Sequence, residues 1–262
     1  MSTTSLLTIE DRRMEYRLVG RAGGHAPDIV LLHEGLGCIA MWRDFPERLS
    51  EATGCRVLVY SRLGHGRSSP TGTPRTPKYH LEESRRWLPA LLEGLGLERP
   101  LLYGHSDGAT IALIHAAERP RAVHGVVAIA PHVKVEDVTI EGLARAKLAY
   151  ETTNLRHRLA TYHDDVDAVF WGWNQTWLDP KFRGWNIEHL LPAIEAPVLA
   201  IQGVDDEYAT LEQIDSIARA VPRTERLVLA DCRHSPHREQ TAAVLEASRH
   251  FIERIGRRPA TG

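Results

Sequence analysis

The 262-residue sequence predicts an α/β protein with a mainly parallel, doubly wound sheet covered by helices on both faces. Three observations carry this expectation. Apolar runs rich in Val, Leu and Ile recur without polar alternation, as in strands buried on both sides. Segments of helical periodicity separate them in a regular β-α rhythm. At one strand-to-helix junction stands Gly104-His105-Ser106-Asp107-Gly108, after Pro100-Leu101-Leu102-Tyr103 and before Ala109-Thr110-Ile111-Ala112.

Taken in order, residues 6–9 and 14–19 alternate about a turn at Asp11-Arg12 and predict an antiparallel start. Residues 28–33 predict the first buried strand and 42–52 the first helix. Strand 56–60, helix 81–95, strand 101–103, helix 109–118 and strand 126–130 follow. The rhythm breaks between Pro131 and Pro197, where Leu143, Leu148, Leu155, Leu159, Val166, Val169 and Phe170 are spaced as in helices. Residues 132–196 are therefore expected to form an inserted helical cap on a body made of 1–131 and 197–262. The cap holds Trp171, Trp173, Trp177 and Trp185, four of the six tryptophans. Strand 197–203, helix 211–221, strand 224–230 and helix 241–255 complete the body.

Composition sets outer limits. With 43% hydrophobic and 25% charged residues the chain can bury one sizeable core. A formal net charge of -2 and a pI near 6.7 imply no general attraction to nucleic acid or anionic lipid. The start, Met1-Ser2-Thr3-Thr4-Ser5, has no apolar signal core, and no run reaches membrane-spanning length, so a cytoplasmic location is expected. Cys38, Cys55 and Cys232 match neither a zinc site nor a redox pair and read as reduced thiols. There is no His-x-x-x-His pair with a glutamate, no Rossmann fingerprint and no Walker loop, so neither a metal nor an organic cofactor is expected.

The Gly-x-Ser-x-Gly junction reads as a nucleophile elbow, a turn so tight that its central residue is strained and its flanks have no room for side chains. The helix that follows aims its amides and positive dipole end at Ser106. Partners for the serine occur further on. The strand 197–203 ends in Val204-Asp205-Asp206-Glu207, and the strand 224–230 is followed by Asp231-Cys232-Arg233-His234-Ser235-Pro236-His237. The order Ser, Asp, His differs from both protease orders that use these groups.

These residues resemble the α/β-hydrolase superfamily, and the resemblance covers nearly the whole chain. Leu31-Leu32-His33-Glu34-Gly35-Leu36-Gly37 is similar to its His-Gly oxyanion loop, with Glu34 where glycine is common. Tyr60-Ser61-Arg62-Leu63-Gly64-His65-Gly66-Arg67-Ser68 is similar to its Asp-x-x-Gly-x-Gly-x-Ser segment, with Ser61 where aspartate is common. Within the superfamily the likeness is to small esterases, enol-lactone hydrolases and amino-acid-ester hydrolases. The resemblance implies Ser106 as nucleophile, Asp206 as acid rather than Asp205, and His234 rather than His237 as base. It implies an oxyanion hole from the backbone N–H of Asp107 and of Gly35, with Leu36 the alternative for the second donor.

A serine hydroxyl is protonated at neutral pH, so His234 is expected to take its proton as it attacks an ester, lactone or thioester carbonyl, and the expected partner is a small-molecule acyl substrate. Leu36, Trp42, His132, Trp171 and Trp177 are the candidates for the substrate pocket; the tryptophans serve equally well to pack the cap onto the body. The Asp107 side chain either selects a cationic or hydroxylated substrate or is satisfied by a loop amide or an arginine such as Arg62. Glu34 poses the same question, or is an outward turn residue. Carbon-carbon bond hydrolysis, thioester hydrolysis and non-catalytic ligand reception on this fold are the rival functions.

Overall fold

The computed structural model describes residues 3–21, 26–71 and 75–256. Of the expected body, residues 1–2, 22–25, 72–74 and 257–262 lie outside the described residues, and with them the first two positions of the start read for a signal core. Eight strands form one sheet: β1 Ser5–Ile9, β2 Arg12–Val19, β3 Ile29–Leu32, β4 Val57–Tyr60, β5 Leu101–His105, β6 Gly125–Ile129, β7 Val198–Gly203 and β8 Thr224–Leu229. Their spatial order is β1-β2-β4-β3-β5-β6-β7-β8. The pairs β1/β2 and β2/β4 are antiparallel, and every pair from β4 onward is parallel.

Period-two alternation sends neighbouring apolar residues to opposite faces of the sheet. Val30, Leu32, Leu102, Ala128 and Ala200 face a core closed by α3 (Leu88–Gly94), α4 (Asp107–Glu118) and α8 (Glu212–Ala220). Ile29, Leu31, Tyr103, Ile129 and Ile201 face a second core closed by α1 (Phe45–Thr53) and α10 (Thr241–Gly256). Continuous apolar strands are what such double coverage demands.

Two expected helices are broken. The first begins as a 3-10 turn, Ile39–Trp42, and α1 starts only at Phe45, with Pro46 in its first turn. The helix expected over 81–95 is α2 (Tyr79–Glu82), a π turn (Glu83–Trp87) and α3. Pro89 has no N–H for the carbonyl four residues back, which accounts for the widened turn ahead of it.

After β6 come α5 (Asp137–Thr152), α6 (Leu155–Ala160) and α7 (Val166–Leu178). Their interior holds two small clusters, one around Tyr150, Leu159, Val166 and Phe170, the other around Leu143, Trp177 and Phe182. Ile187, Leu191, Ile194 and Ala196 pack instead into the core beneath α4 and α8, so the end of the 132–196 stretch lies with the body. Among the described residues no helix is long and apolar enough to cross a membrane.

Candidate active site

β5 ends at His105 and α4 begins at Asp107, so Ser106 alone makes the turn, with φ 53° and ψ -118°. This backbone strain is held by close packing on both sides. A Cβ on Gly104 would stand 2.4 Å from the Ala109 backbone, and one on Gly108 would stand 2.0 Å from the carbonyl oxygen of Leu32. Only glycine fits at either flank.

The loops after β7 and β8 bring two further groups to the serine. His234 Nε2 lies 3.0 Å from Ser106 Oγ, and His234 Nδ1 lies 2.8 Å from both Asp206 oxygens. Because Nδ1–H donates to the carboxylate, the Nε2 lone pair faces the serine hydroxyl. Asp206 also accepts from the Tyr208 amide at 2.8 Å and from Gln202 Nε2 at 2.7 Å. Asp205 is exposed and turned away, its amide bonded to the Cys232 carbonyl. His237 is buried beneath the site, its ring against Trp42, Phe45 and His105.

Burial alone drives an imidazole toward its neutral form. At His234 the charge and hydrogen bond of Asp206, with Glu207 and Glu34 behind, outweigh burial and hold the pKa above the ordinary histidine value. Burial pushes Asp206 the other way, but the His234 charge and hydrogen bond and the Tyr208 amide keep it below the usual carboxylate range.

The loop at residues 33–37 is held from behind. His33 Nδ1–H donates to the Glu34 carbonyl at 2.7 Å while its Nε2 accepts from the Arg62 amide at 3.0 Å. An Arg62 guanidinium N–H donates to the same Glu34 carbonyl at 2.8 Å. His163 accepts from the Gly66 amide at 2.9 Å and donates to the Leu36 carbonyl at 2.9 Å. The Gly35 carbonyl lies 3.1 Å from His65 Nε2. In a trans peptide the N–H points opposite to the carbonyl, so the Gly35 and Leu36 amides turn toward the pocket. Among the described residues neither amide has a hydrogen-bond partner. The Asp107 amide, in the first turn of α4, has no intrahelical acceptor either.

Asp107 spends its side chain inside the protein. Tyr79 Oη donates to it at 2.6 Å, His80 Nε2 lies 3.2 Å away and Arg62 4.0 Å away. Burial disfavours its charge, yet His80, Arg62 and Tyr79 together hold it well below the usual carboxylate range. Trp177 Nε1–H donates to Tyr79 Oη at 2.8 Å, tying α7 to this network. Glu34 is not an outward turn residue. Its carboxylate lines the pocket, 3.6 Å from His105 Nδ1 and 3.8 Å from Arg238, and makes no hydrogen bond among the described residues. His105 and Arg238 overcome its burial and keep it ionised.

Over Ser106 lies a pocket of about 170 Å³ whose apolar wall is formed by Leu36, Met41, Leu143, Leu159, Trp173 and Trp177. Glu34, His132, Thr139 and Tyr208 supply its polar side chains beside Ser106 and His234. Of the candidates for the pocket, the structure places Leu36, His132 and Trp177 on its wall. Two are elsewhere. Trp42 is buried in the core under α1 and α10, stacked on Phe45 and tilted against His237, because the 3-10 turn Ile39–Trp42 ends with it packed against that core. Trp171 packs on Tyr150 and Phe170 and lines a separate groove of about 650 Å³. Trp173, two positions on and thus on another side of α7, takes the place over the site. Sequence reading missed Trp173's role there, as well as Met41, Leu143, Leu159 and Tyr208; spacing on a helix marks which residues share a face but not which face meets the pocket.

A family model described as the alpha/beta hydrolase fold matches residues 27–167, more than half of the chain. The chain belongs to this family. A proline iminopeptidase of Lactobacillus delbrueckii subsp. bulgaricus is 24% identical, over 88% of this chain and 90% of the relative. Among solved structures, the enol-lactonase from Burkholderia xenovorans LB400 superposes with a TM-score of 0.76 at 22% identity, covering 95% of this chain and 100% of the other. The proline iminopeptidase of Mycobacterium smegmatis gives 0.75 at 18% identity, covering 97% and 99%. At these identities the two structures speak for the fold.

Proposed function

We propose that this α/β hydrolase opens a carboxylic ester, lactone or similar acyl bond of a small substrate through an acyl-enzyme on Ser106. The observation that carries the reading is the hydrogen-bonded chain Ser106–His234–Asp206 at the tip of a strained elbow, opening into an apolar pocket. His234 takes the Ser106 proton as Oγ attacks the carbonyl carbon, and returns it to the leaving oxygen. Asp206 fixes the imidazole tautomer and stabilises the imidazolium. The negative charge on the carbonyl oxygen is met by the Asp107 and Gly35 amides, each such donor contributing about 3 kcal/mol to the transition state. Water then attacks the acyl carbon with His234 again as base. A pocket of this size suits a short acyl group, and the reading takes the protein as a cytoplasmic enzyme.

The experiment is a phosphonate label and a substrate panel. A serine-directed fluorophosphonate is expected to modify Ser106, and Ser106→Ala to lose both labelling and turnover across p-nitrophenyl esters and small lactones. Labelling of wild type without turnover of any ester, lactone, thioester or vinylogous diketone supports a ligand receptor instead. Full turnover by Ser106→Ala overturns the proposal.

A second reading is favoured by Glu34. An ionised carboxylate on the pocket wall, with Arg238 no nearer than 3.8 Å and no hydrogen bond of its own among the described residues, attracts a positively charged group of a substrate. Hydrolysis of an ester or amide next to a free amino group fits that feature, and relatives carry the name proline iminopeptidase. Comparing proline p-nitroanilide with its N-acetylated form decides it: a strong preference for the free amine supports this reading, and equal rates exclude it.

A further inference from the structure

His132 follows β6 and is held rigidly. Its amide donates to Thr110 Oγ1 at 3.2 Å, and the Thr110 hydroxyl donates to its carbonyl at 2.7 Å. The ring packs 5.1 Å from Trp177 and 5.8 Å from His234, centroid to centroid, on the pocket wall. Neither ring nitrogen has a hydrogen bond among the described residues. Nδ1 is wholly buried without a partner, whereas Nε2 keeps access to the pocket.

Burial, with the His234 charge beside it, lowers the His132 pKa to about 4, so the ring is uncharged near neutrality and carries one proton. The two tautomers differ in cost. A proton on Nδ1 buries an N–H with no acceptor, the rarer and more expensive defect; a proton on Nε2 leaves only a lone pair buried and offers the N–H to the pocket. The ring is a poor base, and Ser106 already has His234. Glu34 and Asp206 close by disfavour an anionic ligand.

We propose that His132 is a substrate-binding residue whose Nε2–H donates to an uncharged oxygen of the substrate other than the reacting carbonyl: an ether, hydroxyl or second carbonyl oxygen. This rests on the pocket being the acyl-substrate site. Thr139 already donates its hydroxyl to the Tyr208 carbonyl at 2.7 Å, which leaves the Tyr208 hydroxyl as the other uncharged donor on the wall, so His132 contributes a preference for oxygen-bearing over purely aliphatic substrates.

The test uses two shape-matched ester pairs: ethyl methoxyacetate with ethyl butanoate for the acyl side, 2-methoxyethyl acetate with butyl acetate for the leaving-group side. In the wild-type protein, one oxygen-bearing member is expected to exceed its methylene partner in kcat/KM by about tenfold more than it does in plain alkaline hydrolysis, which carries the inductive effect of the methoxy group alone. His132→Phe is expected to bring the ratio near that of alkaline hydrolysis, and His132→Gln, which keeps a donor, to recover part of the difference. Unchanged ratios in His132→Phe overturn the proposal. An activity-independent measurement follows the imidazole nitrogens of 15N-histidine-labelled Ser106→Ala protein, with His132 assigned by His132→Gln. The proposal requires an uncharged Nε2–H tautomer that shifts with the methoxy ester and not with its partner. An Nδ1–H tautomer, or equal response or none to both members, refutes it. Should the wild type hydrolyse none of the four esters while the selective shift is seen, the acyl-transfer reading fails and the donor role stands.

Discussion

His105 Nε2–H donates to the carbonyl oxygen of His234 at 2.7 Å, so the residue preceding Ser106 holds the loop that carries its imidazole partner. The elbow and the histidine loop are separated by 129 positions of sequence, and this bond fixes their spacing directly. His105 is buried, with Glu34 near its other nitrogen.

It follows that His105 positions His234. His105→Phe keeps a ring of similar breadth but removes the donor, and is expected to lower kcat about 10- to 100-fold with a much smaller change in KM. His105→Gln, which can donate to the same carbonyl, is expected to recover part of the loss. Steady-state kinetics on an activated ester checks both; an undiminished kcat in the phenylalanine variant refutes the positioning role.

The two adjacent carboxylates after β7 should separate cleanly. Asp206→Asn leaves the geometry in place but removes the anion that orients His234, and turnover is expected to fall about 10⁴-fold. Asp205→Asn alters an exposed side chain and is expected to change turnover less than twofold. The reverse pattern would transfer the acid's role to Asp205.

Trp173 and Trp171 give a matched pair for pocket shape. The Trp173 ring lies so close over Gly35 that a Cβ there would approach it to 2.4 Å. Trp173→Ala opens the pocket over Ser106, and the kcat/KM ratio of octanoate to acetate p-nitrophenyl esters is expected to rise at least about tenfold. Trp171→Ala enlarges only the separate groove and should leave the ratio unchanged. If both variants shift it equally, the two cavities act as one.

The elbow was legible because its chemistry is local: two glycines at fixed offsets, a strand before and a helix after. The buried strands were legible because a sheet covered on both faces needs continuous apolar runs. What escaped depends on long-range contacts. His33, His65 and His163, which surround the carbonyls of residues 34–36, lie in three separate segments with no shared pattern. The sequence leaves Asp107 either to a cationic or hydroxylated substrate or to a loop amide or an arginine such as Arg62; Arg62 stands 4.0 Å away, and the nearer partners are Tyr79 and His80, from a helix whose distance to α4 no spacing encodes. Trp42 follows the loop at residues 33–37 in sequence, but it ends a 3-10 turn, Ile39–Trp42, packed into the core.

The pH dependence identifies the base. Acylation needs uncharged His234, whose fraction falls as pH drops through its pKa. Burial opposes the imidazolium, but Asp206 and the neighbouring glutamates outweigh it, so the acidic limb of kcat/KM is expected above the ordinary imidazole value of about 6.5. His237 and His132 add no limb beside that of His234, because burial holds His237 well below the ordinary histidine value and His132 near 4. Asp206→Asn removes the leading cause of the rise, so its residual activity should show the limb displaced to lower pH. His237→Gln should leave the limb where it is. A rate profile of kcat/KM against pH, measured on one ester for the three proteins, checks the set: a limb that follows His237 rather than Asp206 would pass the base to His237 and require the loop after β8 to be rearranged.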